Sequence, residues 1–362
     1  MEMYIKQVNK SDNSYIQQYI GPDYPVFLML DIGSTHCGSV EIAKQMIDLA
    51  KEAGIDCIKM QKRDIDTLLT EHGKNEPYNS EHSMADTYGE HRKKMELTEA
   101  QFIELQNYTI SKKMFFSASA WDIKSLEFLN TLDLPFIKIA SADLTNIPLL
   151  HEIAKQNKPV IFSTGMATEN YILNAFHILK KKEPLGILQC TSSYPTPLQD
   201  VNLNVIKRLQ TIFPNDVIGF SDHTLGHHIS LGAVAIGANI IEKHFTLDNN
   251  FKGSDHMCAL NPENLKLFVH QCRDIDTAIG SKNKIIQKSE KSCITKLCKS
   301  VVATCNIPKG TIITKDMITT KSPATGIPAY FYNSIIGKEA KNNIIGDTAL
   351  QWKNVYDQIE VM

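Results

Sequence analysis

Eight short, unbroken apolar runs, separated by amphipathic stretches over the first two-thirds of the chain, restrict its possible folds more than any other feature. They fall at 26–32, 57–60, 114–117, 136–139, 160–162, 186–188, 217–220 and 239–241. A strand with one face in water alternates apolar and polar residues, whereas a run without alternation suits a parallel strand covered on both faces. The stretches at 40–53, 98–112, 168–181 and 203–213 read as amphipathic helices; the first carries Ile42, Met46, Ile47 and Leu49. Each ends near Gly, Pro or a charged pair, as helices and their exits do. Eight strand–helix units in about 260 residues is the arithmetic of a (β/α)8 TIM barrel, an α/β fold. An open doubly wound sheet is the other arrangement, but the first run lacks the glycine-rich turn that follows the first strand there. The expected order is an extension at 1–25, the barrel at 26–283, a Lys- and Ser-rich linker at 284–298 and a mostly β module at 299–362. Short strands in that module are expected around 300–304, 307–314 and 326–328. The loop at 62–96 is long enough to serve a site or fold over one.

Composition narrows the setting. A chain of 362 residues, 43% hydrophobic and 22% charged, is ordinary globular material, and a net charge of −2 leaves no nucleic-acid footprint. Residues 1–18 are polar, without the apolar core of a signal peptide. No stretch approaches the roughly 20 apolar residues of a membrane span, so a cytoplasmic protein without membrane partners is expected. The eight cysteines are scattered and form no CxxC pair, which points to reduced structural thiols rather than a zinc ribbon or redox motif.

Function in a barrel belongs at the C-terminal ends of the strands, and there the polar residues keep a regular phase. The runs end in Asp31; Lys59 and Gln61; Lys138, Ser141 and Asp143; Ser163; Thr191, Ser192 and Tyr194; Ser221 and His223; and Glu242 to His244. His223 and His244 stand 21 positions apart, about one barrel unit, so each tops one of two neighbouring strands. Two imidazoles at one rim can hold a divalent ion and leave positions open for substrate and water. Two histidines merely buried by hydrogen bonds are the plain alternative. His227 and His228 form a competing pair, expected to start a helix and face solvent. Lys59 and Lys138 are costly to bury without partners, and with Ser141, Ser163 and Ser221 they suit a small molecule bearing phosphate and carboxylate. A Schiff-base aldolase with Lys138 as nucleophile is the alternative there.

Read in order, these residues resemble the sialic acid synthase family. The carriers are Asp31-Ile32-Gly33-Ser34-Thr35-His36, Lys59-Met60-Gln61, Lys138-Ile139-Ala140-Ser141, Ser163-Thr164-Gly165-Met166, Cys190-Thr191-Ser192-Ser193-Tyr194-Pro195, Ser221-Asp222-His223-Thr224, Glu242-Lys243-His244-Phe245-Thr246 and Gly253-Ser254-Asp255-His256. Residues 299–362 resemble the antifreeze-like (SAF) domain that ends these enzymes, and Tyr88-Gly89-Glu90-His91 looks most like the animal form. The resemblance implies condensation of phosphoenolpyruvate with N-acetylmannosamine 6-phosphate, giving N-acetylneuraminate 9-phosphate and phosphate. It implies Mn2+ or Mg2+ on His223 and His244. Lys59, Lys138, Ser141, Ser163 and Ser221 would hold phosphoenolpyruvate, while Gln61, Tyr194 and Asp255 would contact the sugar, with Thr191, Ser192 and Asp143 near them. A domain-swapped homodimer is implied as well.

Two positions depart from the family pattern: Asp31 replaces its Glu and Thr35 its Asn. The shorter carboxylate would fall short of a sugar hydroxyl unless water or a backbone shift filled the gap. Lys321-Ser322-Pro323 stands where the bacterial enzymes present an arginine to the sugar. His91, Arg92 and Lys93 are the candidates for gripping a sugar phosphate, a solvated charge run being the plain alternative. A free hexosamine acceptor, a catalytically weakened sugar-binding homologue, and a synthase acting on an arabinose or erythrose phosphate are the rival readings.

Overall fold

The computed structural model describes residues 2–9, 12–80, 82–180 and 184–356, so the ends of the expected 168–181 helix and 299–362 module lie outside the described residues. The chain divides into two compact units, Met1–Gly280 and Ser281–Met362.

The first unit opens with an antiparallel pair, β1 (Met3–Val8) and β2 (Tyr15–Ile20). Eight parallel strands follow: β3 (Phe27–Asp31), β4 (Cys57–Lys62), β5 (Phe115–Ala120), β6 (Ile137–Ile139), β7 (Val160–Ser163), β8 (Gly186–Cys190), β9 (Val217–Asp222) and β10 (Ile240–His244). They close in sequence order, with β10 returning to β3, and each holds one of the eight apolar runs. This is the expected (β/α)8 barrel. The helices following the strands are α1 (Val40–Ala53), α5 (Glu99–Ser111), α6 (Ile123–Asn130), α7 (Ile147–Lys155), α8 (Glu169–Leu179), α9 (Asn204–Ile212), α10 (His228–Ala235) and α11 (Pro262–Ile279). Local chemistry fixes their ends: Ser39 caps α1, Thr98 and Gln101 form a capping box on α5, and Asn261 caps α11. The long loop holds three further short helices, α2 (Ile65–Leu68), α3 (Glu71–Asn75) and α4 (Tyr88–Met95).

Strand faces turned outward pack with the helices into one large apolar cluster. A second cluster fills the N-terminal end of the barrel, where Met3, Ile5 and Ile20 meet Phe27, Phe115, Phe136, Leu188 and Ile240. The segment read only as an extension is thus the barrel's floor. Its alternation was visible in Met3, Ile5 and Gln7 facing one way, but the third of these is polar. Gln7 is fully buried because β6 is short: β5 and β6 pair only at Ser119 and Lys138, which leaves Phe116 without a strand partner on that side. The Gln7 amide replaces it, accepting from Phe116 N–H at 2.8 Å and donating to Phe116 C=O at 3.0 Å and Asp133 C=O at 2.7 Å.

In the second unit β11 (Ser300–Ala303) pairs antiparallel with β12 (Ile318–Lys321), and single bridges join Ile307 to Ile344 and Ile312 to Glu339. Bridges stand where a strand at 307–314 was expected, since Pro308 cannot donate and Gly310 turns at φ 84°. Val301, Ile313, Ile327 and Leu350 lie in its apolar core. A short helix, α12 (Lys291–Leu297), occupies the Lys- and Ser-rich stretch. All eight cysteines are free thiols. Among the described residues no helix is long and apolar enough to cross a membrane.

Replacing Gln7 by Leu keeps the hairpin's apolar contacts but strands two buried backbone groups of Phe116, so a loss of about 2–5 kcal/mol is expected in urea unfolding of the whole chain. A loss below about 1 kcal/mol would show that the amide does not complete the strand ladder.

Candidate active site

Among the described residues, six buried side-chain polar atoms lack a hydrogen-bond partner: Ser119 Oγ, Trp121 Nε1, Asp143 Oδ2, Thr224 Oγ1, Glu242 Oε1 and His244 Nδ1. Every one sits at the C-terminal end of a barrel strand or in the loop just beyond it. The other buried side-chain polar atoms among the described residues find partners, so this end of the barrel is built to meet something other than itself. A cavity of about 240 Å³ opens there, lined by residues at or just past the ends of all eight strands, by Arg92 and by the loop at 254–255.

Four charges form its floor. Lys59 Nζ lies 2.6 Å from Asp31 Oδ2 and 3.3 Å from Glu242 Oε1, and Lys138 Nζ lies 3.2 Å from Glu242 Oε2. Burial alone would raise Asp31 and Glu242, but the lysine charges outweigh it and hold both carboxyls below their ordinary values. Burial works against the charge of Lys59 too, and Asp31 and Glu242 overcome it. Lys138 also donates to Ile139 C=O at 3.0 Å and Ser163 Oγ at 2.7 Å. Burial pulls Lys138 below its ordinary value despite Glu242, but three acceptors surround its nitrogen, a geometry that suits an ammonium rather than the free amine of the Schiff-base alternative.

Above the floor the residues of β4 alternate inward. Gln61 donates to Asp31 Oδ2 at 2.8 Å, and Arg63, just past the strand, donates to Gln61 Oε1. Gln61 lies flat against Gly33, where any Cβ would come within 2.2 Å of its Cγ, so glycine is required there. Asp31 is fully engaged: its Oδ1 accepts from Gly33 N–H at 2.8 Å while Oδ2 takes Lys59 and Gln61. Thr35 donates to Phe245 C=O at 2.6 Å and ties this loop to the end of β10.

His223 and His244 face each other with ring centres 5.3 Å apart, His244 standing in register with Asp31 and Lys59, and Tyr194 packs on His223 at 4.2 Å. His223 Nδ1 is 3.0 Å from Thr191 C=O, which can only accept, so Nδ1 carries a hydrogen and Nε2 offers a lone pair when the ring is neutral. His244 Nδ1 is buried and unpaired. Two imidazole nitrogens without protein partners, with Asp31 Oδ2 3.7 Å from His244, suit a divalent ion that takes its other ligands from substrate and water. Among the described residues no three His, Cys, Asp or Glu side chains gather as a complete metal cage. His227 is half-buried and bonded to Gln271 at 2.8 Å rather than facing solvent, while His228 is exposed at the start of α10.

Asp31, Gln61, Lys59, Lys138, Ser141, Ser163, Ser192, Tyr194, Ser221, His223, His244, Asp255 and Arg92 all line the cavity. Gly165 leaves room for Ser141 and Ser192, since a Cβ there would lie 2.2 Å from Ser192 Oγ. Four predicted residues, Lys93 among them, do not reach the wall. Thr191 turns its hydroxyl to Asp200 C=O, and His91 Nδ1 faces Met84 N–H at 3.2 Å. Asp143 lies behind the wall, accepting from Asn146 at 3.0 Å, and burial pushes its carboxyl up to about 6. Beyond the ends of strands the period-two phase lapses, so position alone did not tell which way these side chains turn. Conversely, Glu242 and Arg63 line the cavity although sequence reasoning gave them no role. Glu242 had a readable signal, two residues before His244 and so on the same strand face.

The NeuB family matches residues 46–284 and the SAF domain residues 299–355. The chain is 41% identical over 324 residues to N-acetylneuraminate-9-phosphate synthase of Homo sapiens, covering 89% of this chain and 90% of that protein. It is 38% identical over 329 residues to N,N'-diacetyllegionaminic acid synthase of Campylobacter jejuni, covering 90% and 98%. The crystal structure of N-acetylneuraminic acid (sialic acid) synthetase from Leptospira borgpetersenii aligns with a TM-score of 0.68 at 31% identity, over 81% of this chain and 96% of that one. Likeness of this extent, running through the barrel and the terminal module alike, shows that the chain belongs to the NeuB family, the sialic acid synthases.

Proposed function

We propose that the protein is a metal-dependent transferase that condenses phosphoenolpyruvate with N-acetylmannosamine 6-phosphate, giving N-acetylneuraminate 9-phosphate and inorganic phosphate. The observation that carries this reading is one cavity lined by two buried lysines and, beside them around Asp31, by two histidines, of which His244 keeps a ring nitrogen without a hydrogen-bond partner. The 41% identity to the human 9-phosphate synthase favours the phosphorylated acceptor. The homodimer and the cytoplasmic setting implied by the resemblance belong to the same proposal.

Lys59 and Lys138 would bind the phosphate and carboxylate of phosphoenolpyruvate, with the hydroxyls of Ser141, Ser163 and Ser221 completing the site. These charges are already held in place, so they would stabilise the departing phosphate without reorganisation. Gln61, Ser192, Tyr194 and Asp255 would orient the open-chain sugar beside the histidines. Carbon three of the enol attacks the aldehyde carbon, water adds at carbon two, and phosphate leaves by C–O cleavage. Mn2+ or Mg2+ held by His223 and His244 would supply Lewis-acid polarisation of the aldehyde when bound.

Phosphate release from phosphoenolpyruvate with manganese, comparing N-acetylmannosamine, its 6-phosphate and mannose 6-phosphate, tests the reading. Release with the phosphorylated N-acetyl sugar alone is the expected result. Release only with the free sugar moves the enzyme to the free-hexosamine reading, and release with none, from folded metal-loaded protein, removes the synthase proposal. His223→Ala and His244→Ala should each weaken manganese binding, measured by calorimetry, by more than the roughly 10–100-fold that loss of an outer-shell partner costs. Full affinity in either variant would remove the metal site.

The reading gives Asp143 no contact with substrate, which leaves only its burial. With a folded-state value near 6 against an ordinary 3.8, the folded chain keeps this proton after the unfolded chain has lost it. The stability it contributes is therefore present at low pH and lost as pH rises from about 4 to about 6. Asp143→Asn should stabilise the protein by about 1–3 kcal/mol at pH 7.5 and match the parent near pH 4 in thermal unfolding. An equal difference at both pH values would contradict this account.

A further inference from the structure

Within the proposed function, on which this rests, we infer that Arg63 and Arg92 form a distal anion subsite that holds the phosphate of the acceptor sugar. The sequence placed that role on His91, Arg92 and Lys93, but only Arg92 of the three lines the cavity. His91 is buried against Met84 N–H, and burial together with the charge of Arg92 pushes its imidazole down to about 4, so it is neutral near pH 7. Lys93 is spent on Asp66, 3.3 Å away. Arg63 takes their place from an unexpected direction, the end of β4.

Lys59, Gln61 and Arg63 follow one another at every second position. At roughly 3.3 Å per residue, Arg63 stands at most about 13 Å above Lys59 along the barrel axis. One anion site lies at the floor, around the two lysines, and a second cationic group lies at the rim. An acceptor whose aldehyde meets the enol near the histidines would extend its far end toward that rim. A phosphate on the last carbon of a six-carbon chain then falls among the guanidinium groups.

Arg63 is a built element rather than a surface charge. It is 4% exposed, its guanidinium stacks 4.3 Å from the centre of the Trp121 ring, and Glu96 holds one nitrogen at 3.2 Å. Arg92 is fixed from below by Tyr88, whose hydroxyl accepts from Nε at 2.9 Å, leaving its terminal nitrogens for another group. No carboxylate among the described residues lies within 4.0 Å of Arg92, whose charge reaches Asp255 only at longer range. Asp255, on the same wall, is engaged by Ser34 and lies beyond that distance from both arginines. Two planar forks, one anchored and one unpaired by charge, suit the tetrahedral oxygens of a phosphate monoester.

The test compares kcat/KM for N-acetylmannosamine 6-phosphate with that for N-acetylmannosamine in the parent, Arg92→Gln and Arg63→Gln. The parent should favour the phosphorylated sugar, and each variant should lower that ratio by on the order of 100-fold, the effect of losing a charged hydrogen-bond donor. Because Arg63→Gln also unpairs Glu96, Arg92→Gln decides the matter if the former folds poorly. An unchanged ratio in Arg92→Gln, or a parent that favours the free sugar, overturns the subsite. Absence of phosphate release with any sugar removes the synthase reading instead. The subsite is then read by calorimetry with N-acetylmannosamine 6-phosphate as probe. Binding that weakens in Arg92→Gln sustains it, and no binding, or binding equal in both proteins, overturns it.

Discussion

Two lysines and two carboxylates meet inside the barrel where water is nearly excluded, and the rest of the site is arranged around keeping them charged. Each charge taken alone would be too costly to bury, and removing one partner from such a group leaves an uncompensated ion. Lys59 is held by Asp31 and Glu242 together, and Lys138 by Glu242, Ser163 and a backbone carbonyl. The set is neutral overall, so the barrel folds without an anion in place. Under the proposed function, the substrate anion enters by exchanging with the carboxylates as partners of the lysines. Glu242 would then serve as a resident stand-in for the substrate's charge, which would account for a carboxylate in a pocket otherwise suited to anions.

A second buried pair supports this from outside the barrel. Lys243 and Asp222, neighbours in register on β10 and β9, lie 2.9 Å apart, and Ser230 of α10 donates to the same Asp222 oxygen at 2.6 Å. These residues alternate with the inward-facing Ser221, Glu242 and the two histidines. The outward polar pair locks the two strands and α10 together, and so fixes the rotation of the strands that carry the histidines. A site of this kind needs its supporting residues held as firmly as its reacting ones.

The barrel was legible because its strands are buried on both faces, which writes them as unbroken apolar runs, and its helices kept clear stripes and caps. The floor was not, because the hairpin is short and its decisive residue, Gln7, is a polar side chain whose partner is a gap in a distant strand ladder. Inside the site, residues within strands were placed correctly from phase: Asp31, Lys59, Lys138, Ser163, Ser221 and His244 all face the cavity. Residues past the strand ends were not, as Thr191 and Asp143 illustrate, and His91 and Lys93 failed because the second loop folds into helices of its own. Arg63 was hidden for the opposite reason, since it continues the strand's phase three residues beyond the last apolar position, Met60.

The shortened carboxylate at position 31 fits the same geometry. An aspartate reaches Lys59 and Gln61 but ends there, with both oxygens committed. Gln61 is in turn oriented by Arg63, whose donation fixes which end of the amide faces Asp31. The side chains of β4 and β3 therefore form one continuous hydrogen-bonded column, Lys59 to Asp31 to Gln61 to Arg63, from the floor of the cavity to its rim. A glutamate at position 31 would place its carboxylate one methylene further along and compete with Gln61 for space against Gly33. Gln61 thus links the aspartate to the arginine, its Nε2 donating to Asp31 while its Oε1 accepts from Arg63. Under the proposed function, the grip on the far end of the acceptor would then come from guanidinium groups reaching in from the rim rather than from a carboxylate.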